Sequence, residues 1–318
     1  MTTIFNPACD KYVVIMYHYI FDERPDRRGM HPRAPADFER ELDFLAAHYQ
    51  VVGTPLEVLA AARQGGPPTA ALTFDDATRD QYENAAPRLE AHGLRGNFFV
   101  IGETLAGRLP FTHQLHLLFS QLSPRELVER YHRFLAEQLP AAGAEFRIPT
   151  DRHLNPLRLH DDVYTANFKE RFPATPPAWQ QKFLRQIFAE QGLREKSLTA
   201  DLFMSAAQIK DLRRRGHTIG IHGKTHRPFD LLSLPEIEQE LKRSVAILVD
   251  CLGEPPAVLS YPYGRLPAEP SVVLELVERS GLTSAVMMGY RGVTAEDDPL
   301  LIPRLNTNHL RDYLDSLS

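Results

Sequence analysis

The sequence is poor in the features that would settle its class at a glance. Only two of its 318 residues are cysteine, Cys9 and Cys251, too few for a disulfide framework or a cysteine-based zinc site, so both read as free thiols. No apolar run approaches the ~18 residues of a membrane span. The opening stretch MTTIFNPACDKYVVIMYHYI has no basic leader, and its apolar run VVIM is too short for the core of a signal peptide. A soluble, cytoplasmic protein is therefore expected. Positive charge is scarce as well: the formal net charge is -5, which offers no broad basic field and predicts no nucleic-acid partner. Solenoid repeats and low-complexity tracts are missing too, and nothing signals an oligomeric state.

What remains is a chain of ordinary globular composition, 43% hydrophobic and 24% charged, long enough to bury a substantial core. Strands and helices alternate along it. YVVIMY (12–17) reads as a first strand, and DFERELDFLAAHY as an amphipathic helix with Phe38, Leu42 and Leu45 at helical spacing. A short VVG strand, the helix PLEVLAAARQ, the strand TAALTF, the helix QYENAAPRLEAHG and the strand GNFFVIG follow. The same beat resumes with AAQIKDLRRRG and HTIGI. The next helix, in SLPEIEQELKRSVAILVDCLG, opens with Ser233 and Glu236 at capping-box spacing and stops at Gly253. VLSYPYG, SVVLELVERSG, TSAVMM and LLIPRL complete the series. Right-handed β-α crossovers of this kind predict an α/β fold with a parallel sheet, open or closed as a barrel.

Between Glu103 and about Ala200 the rhythm fails. SPRELVERYHRFLAEQL and PAWQQKFLRQIFAEQG are helical in pattern and are separated by proline-rich and polar connections. The expected organisation is a discontinuous main domain, 1–102 and 201–318, with a mostly helical insertion, 103–200. The insertion is too long for a simple loop, so it should carry its own small core or pack across one end of the main domain as a lid or specificity element.

In parallel α/β architectures the loops that leave the carboxyl ends of strands converge on one face. ALTFDD delivers two adjacent carboxylates there, Asp75 and Asp76, although each makes the other harder to ionise. IGIHGKTHRPF delivers His222 and His226, which Gly223 and Pro228 place on a turn rather than a helix. A divalent cation resolves the charge problem: two imidazoles and one carboxylate make a catalytic-type metal site, and the second carboxylate beside it can serve as a base. The plainer alternative is that the aspartates cap the next helix and the histidines are surface or core residues with satisfied hydrogen bonds.

TFDD, followed by HGKTH and then SYPYG, resembles the polysaccharide deacetylase family (carbohydrate esterases and nodulation-type deacetylases). MYHYI and IPRL resemble further segments of that family, so the resemblance covers roughly residues 10–102 and 205–306. It implies a distorted (β/α) barrel of about seven parallel strands and a metal-dependent removal of acetyl groups from carbohydrates. Carried over residue by residue, Asp75 matches the general base, and Asp76, His222 and His226 match the metal ligands. The implied ion is zinc, with cobalt, nickel or iron also suited to an Asp-His-His set. The implied mechanism has the metal acidify a water and polarise the acyl oxygen, Asp75 take the water proton, and the Tyr263 backbone N–H help hold the oxyanion.

The pattern departs from the family in two places. Many members carry an arginine where this chain has Ser260, and Arg304 of IPRL is the candidate to reach the base instead; the alternative is a surface or structural arginine. The Leu-His motif that supplies a proton donor in many members is missing. His18 at the end of the first strand is the preferred donor over His309, the alternative being a histidine that orients an aspartate. Trp179 could stack on a sugar or anchor a small core, His113 and His116 fit an amphipathic helix better than a metal site, and Arg213–Arg215 read as a solvated helix end. The expected function is carbohydrate N-deacetylation. A deformylase or other amide hydrolase of the same fold, and a silent sugar-binding module, are the rivals.

Overall fold

Strands form where the chain runs apolar without interruption, the signature of sheet covered on both faces. A computed structural model describes residues 5–140, 143–156 and 161–317, with Arg28 described in its backbone alone. Eight strands occur among the described residues: β1 (Tyr12–Tyr17), β2 (Gln50–Val51), β3 (Thr69–Phe74), β4 (Asn97–Val100), β5 (Thr218–Ile221), β6 (Val258–Ser260), β7 (Ser284–Met288) and β8 (Ile302–Asn306). Every pairing between them is parallel. β1 pairs with β8 on one side and with β3 on the other, from Tyr12 opposite Thr69 to Tyr17 opposite Phe74. This closes a ring of seven strands, with β2 attached outside it to β3. The fold is the (β/α) barrel of about seven parallel strands that the family resemblance implies, where the alternation of elements alone leaves the sheet open or closed.

Successive side chains of a strand point to opposite faces, which sorts the core into two layers. Val13, Ile15, Tyr17, Leu72, Phe74, Phe98 and Leu259 belong to a large outer cluster with the surrounding helices. Val14, Ala71, Phe99, Val258, Val286 and Ile302 form an inner cluster, together with Val58 and Leu59 of the helix Pro55–Gln64. Gly220 is part of this inner layer because a β-carbon there would lie 2.6 Å from the Phe99 ring and from the Val258 carbonyl. Continuing the inward register in steps of two residues toward the carboxyl ends gives His18, Thr73, Asp75, His222, Ser260 and Arg304. The barrel's own periodicity thus aims six polar side chains into one mouth.

The described residues divide into two compact units, one formed by Met1–Asp22, Pro32–Arg108 and Thr199–Ser318, the other by Glu23–His31 and Leu109–Leu198. The second unit has a core of its own. Tyr131 packs on Phe168, Phe172 and Phe183 at ring separations of 5.3, 5.4 and 5.1 Å. Trp179 lies edge-on to Phe134 at 6.3 Å, with Lys182 over its ring. Glu23–His31 groups with this unit although the alternation of elements assigns it to the barrel segment. The Gly29 N–H donates to Ser120 Oγ at 3.0 Å, and a β-carbon on Gly29 would collide with the His116 carbonyl at 2.3 Å. Among the described residues no helix is long and apolar enough to cross a membrane.

Candidate active site

The two carboxylates of the TFDD stretch go separate ways because the backbone turns between them. The Asp75 N–H still continues the ladder, donating to the Tyr17 carbonyl at 3.0 Å. Asp76 and Ala77 then take positive φ of 76° and 53°, left-handed conformations that cost non-glycine residues roughly 1–2 kcal/mol each. The Met204 N–H donates to the Ala77 carbonyl at 3.0 Å and holds the turn. Neither carboxylate caps the following helix, which starts as a π turn at Gln81–Ala85 rather than the regular helix its sequence predicts. Gln81 is occupied elsewhere: its Nε2 donates to the carbonyls of His18 at 2.8 Å and Asp75 at 2.6 Å, tying the ends of β1 and β3 together.

Asp76 faces the histidines. His226 Nε2 lies 3.5 Å and His222 Nε2 3.6 Å from Asp76 Oδ1, and all three residues are buried, with one donor atom from each within 4.8 Å of the others. His222 Nδ1 lies 2.7 Å from the Ser260 carbonyl. A carbonyl only accepts, so Nδ1 carries the proton and Nε2 presents its lone pair to the cluster. Residues 222–228 form no helix, as Gly223 and Pro228 predict. Instead Gly223 (φ 71°) and His226 (φ 62°) shape a turn. Glu240, in the helix Leu234–Leu252, holds that turn: it accepts from the N–H groups of Lys224 and Thr225 at 2.7 and 2.8 Å and from Thr225 Oγ1 at 2.8 Å.

Asp75 is not one of the three clustered residues, but it borders them, its Oδ2 lying 3.7 Å from His222 Nε2. Arg304 donates to it through both terminal nitrogens, at 2.8 and 2.7 Å, and also to Thr73 Oγ1 at 3.2 Å and Ser260 Oγ at 2.9 Å. Its guanidinium lies 5.9 Å from the Phe99 ring centre. Arg304 is 1% exposed, so it is not a surface arginine. Burial pushes the Asp75 carboxyl up, but the charges of Arg304 and His222 and the Arg304 hydrogen bonds bring it down to about 2. The pair keeps Asp75 anionic and lowers its basicity.

His18 sits at the same mouth, where burial lowers its pKa, the charges of Asp76 and Asp75 oppose that, and Arg304 and His222 add to it. Tyr263 (φ 59°) occupies the turn Pro262–Gly264, its ring stacked on His226 at 5.1 Å. His309 lies in the helix Thr307–Asp315, its ring 5.7 Å from Tyr290. His113 and His116 belong to the other unit; among the described residues Asp76, His222 and His226 are the one group with the makings of a metal site. Four residues that matter here escape sequence analysis: Thr73, Gln81, Glu240, and Ser260 in the capacity of a hydrogen-bonding partner. Gln81 and Glu240 have no motif to mark them, and Ser260 stands out only as a missing arginine.

The donor set fits a divalent metal ion. Two imidazole nitrogens and one carboxylate oxygen at ~2.0–2.2 Å from a tetrahedral centre stand about 3.3–3.6 Å apart, and the separations of 3.5 and 3.6 Å between Asp76 and the two histidines match that spacing. Fold and site together define a β/α-barrel protein with a buried Asp-His-His cluster beside an arginine-paired carboxylate.

Comparison with known proteins gives that class a family. A profile described as "Polysaccharide deacetylase" matches residues 62–171 and 177–285, more than half of the chain, which belongs to that family. The match runs on through much of the helical segment that the sequence motifs leave outside. A Bacillus subtilis (strain 168) protein titled "Putative polysaccharide deacetylase YxkH" is 28% identical over 116 residues, which span 35% of this chain and 37% of that protein's length. Three solved structures share the fold. Streptococcus pyogenes deacetylase PplD, in complex with acetate, aligns at TM-score 0.55 and 17% identity over 92% of this chain and 91% of its own. IcaB from Ammonifex degensii aligns at 0.54 and 15% over 96% and 97%. A de-N-acetylase from Aggregatibacter actinomycetemcomitans aligns at 0.53 and 14% over 95% and 99%.

Proposed function

We propose that the chain is a metal-dependent hydrolase that removes an N-acetyl group from a carbohydrate. The observation that carries this reading is the division of labour between neighbours: Asp76 lies between the two histidines, whereas Asp75, one residue earlier, is paired with Arg304 and stays outside that group, 3.7 Å from His222 Nε2. A binding module needs no charged carboxylate held apart from its metal site, and a hydrolase does. Asp76, His222 and His226 would hold the ion, zinc best fitting a set of two nitrogens and one oxygen. When bound, such an ion supplies Lewis acidity, which makes water a stronger acid and an acyl carbonyl a better electrophile.

The remaining work falls to the chain's own side chains. Asp75 accepts the proton of the attacking water at a carboxylate oxygen, and Arg304 fixes its orientation through the two-pronged contact. The His222 ring is locked by Ser260 with Nε2 forward. In this reading the Tyr263 backbone N–H donates to the developing oxyanion, and His18, tied to the Asp75 strand end through Gln81, delivers the proton to the departing amine. The acetylated carbohydrate is the substrate. The PplD structure is a complex with acetate, consistent with acetyl transfer to water on this fold.

The test is a panel of acetylated sugars and sugar nucleotides offered to zinc-reconstituted protein, with released acid identified. Chelator-sensitive acetate release that disappears in Asp75→Asn is the expected result. Formate in place of acetate would make it a deformylase, and glycan binding without turnover across the panel would reduce it to a lectin-like module.

A further inference from the structure

The helical unit contains a cavity of about 690 Å³ whose wall carries three arginines, Arg125, Arg147 and Arg171, beside His132 and Tyr164. Its one carboxylate, Glu129, is held by Arg125 at 2.9 Å, so cationic groups outnumber anionic ones in the lining. Two donors, the Ile148 amide and Arg147, compete for the one lone pair of a neutral His132 at a rim that water also reaches. The Ile148 backbone N–H lies 3.0 Å from His132 Nε2 and can only donate. The lone pair of that imidazole is therefore at Nε2 and its proton at Nδ1. Arg147 Nη2 lies 3.3 Å from the same Nδ1, so two N–H donors face one another. Reversing the tautomer only moves the clash to the buried Ile148 amide. Protonating the ring adds a further donor, and burial followed by the Arg147 charge already disfavours the protonated form.

An oxyanion with several acceptor oxygens resolves this, because it can accept from Arg147 and from His132 at once. Arg171, which closes the helix Val163–Arg171, donates to the Glu145 carbonyl and so fixes the wall between Gly143 and Phe146. The volume exceeds what a bare ion fills, and Val128, Ile148 and Leu154 add apolar surface, suited to the organic part of an ester. We propose that this cavity is a second binding site, separate in its residues from the barrel mouth, for the phosphoryl group of a phosphate ester or diphosphate, which accepts hydrogen bonds from Arg147 and His132.

The experiment is a calorimetric titration of the full-length chain at low salt with three probes: inorganic phosphate, inorganic diphosphate and uridine diphosphate. Saturable binding of at least one probe is expected, weakened about tenfold or more in Arg147→Gln, partly recovered in Arg147→Lys, and reduced by added salt. Arg147 is exposed, so its loss leaves folding intact, and Arg171→Gln gives a second reading. Asp76→Asn should retain the binding, which separates this site from the barrel mouth. Tighter binding of the nucleotide assigns the apolar wall to an ester's organic part, and equal binding of the two diphosphates assigns the site to the phosphoryl groups alone. No heat from any probe up to about 10 mM, or affinity unchanged in Arg147→Gln and Arg171→Gln, would overturn the proposal.

Discussion

Arg304 and Asp75, 229 positions apart in the chain, meet through two parallel hydrogen bonds of 2.8 and 2.7 Å with both side chains nearly sealed from water. A buried carboxylate without this partner would protonate, and a buried guanidinium without the carboxylate would be an uncompensated charge. The pair keeps Asp75 ionised, and it joins β8 to the end of β3 across the barrel interior.

Arg304→Met should therefore cost about 3 to 5 kcal/mol of stability near neutral pH, measured by urea unfolding of the metal-free protein, and remove turnover. The sign follows from the pKa. Asp75 is depressed to about 2 in the native chain, so its contribution is present above pH ~4 and is lost as pH falls toward 2. The gap between Arg304→Met and the native chain should narrow over that window. Arg304→Lys, which keeps the charge and loses the fork, should fall between the two.

Asp75→Asn and Asp76→Asn separate chemistry from metal binding. Asp75→Asn is expected to retain zinc by elemental analysis while acetate release falls ~10²–10⁴-fold. Asp76→Asn, His222→Ala and His226→Ala should lose the ion, and with it the upward shift in melting temperature that a saturating ligand confers on the native chain.

Glu240 acts through the turn it holds. Glu240→Ala leaves the Lys224 and Thr225 amides without their acceptor and should weaken zinc binding ~10–100-fold, whereas Glu240→Gln, which keeps an acceptor oxygen, should recover most of it. Competition with a chromophoric chelator reads the affinity directly.

Asp80 offers a pH test away from the metal cluster. Burial pushes its carboxyl up to about 6 against the opposing hydrogen bonds from Ile20 and Thr78. A raised acid stabilises the fold fully below its unfolded pKa near 4, and that contribution disappears as pH rises through 6. Asp80→Asn keeps an acceptor for the Ile20 N–H, so it should raise stability by about 1–2 kcal/mol at pH 8 and change it little at pH 4, checked by melting curves across that range.

Much of the barrel was legible because its signals are local: apolar runs of strand length, helix stops at Gly253, and a capping box at Ser233 and Glu236 that the structure contains. The grouping of Asp76, His222 and His226 was legible for the same reason, since each follows a strand end. The supporting contacts were not. Glu240 lies in EIEQEL, which reads as a solvated helix face, and its role exists only because that face meets the turn after β5. Ser260 and Thr73 read as ordinary strand residues until Arg304 arrives from 44 and 231 positions away. Glu23–His31 joins the helical unit through a Gly29–Ser120 contact spanning 91 positions, beyond the reach of any local pattern.

The placement of β1 between β3 and β8 has a consequence for how the molecule comes into being. β1 finds its β3 neighbour nearby in the chain, but its register with β8, Ile15 opposite Leu305, joins the two ends of the barrel sequence. Ring closure is thus a late, slow event dominated by distant pairings, and until it happens both β1 and β8 present open sheet edges to neighbouring nascent chains.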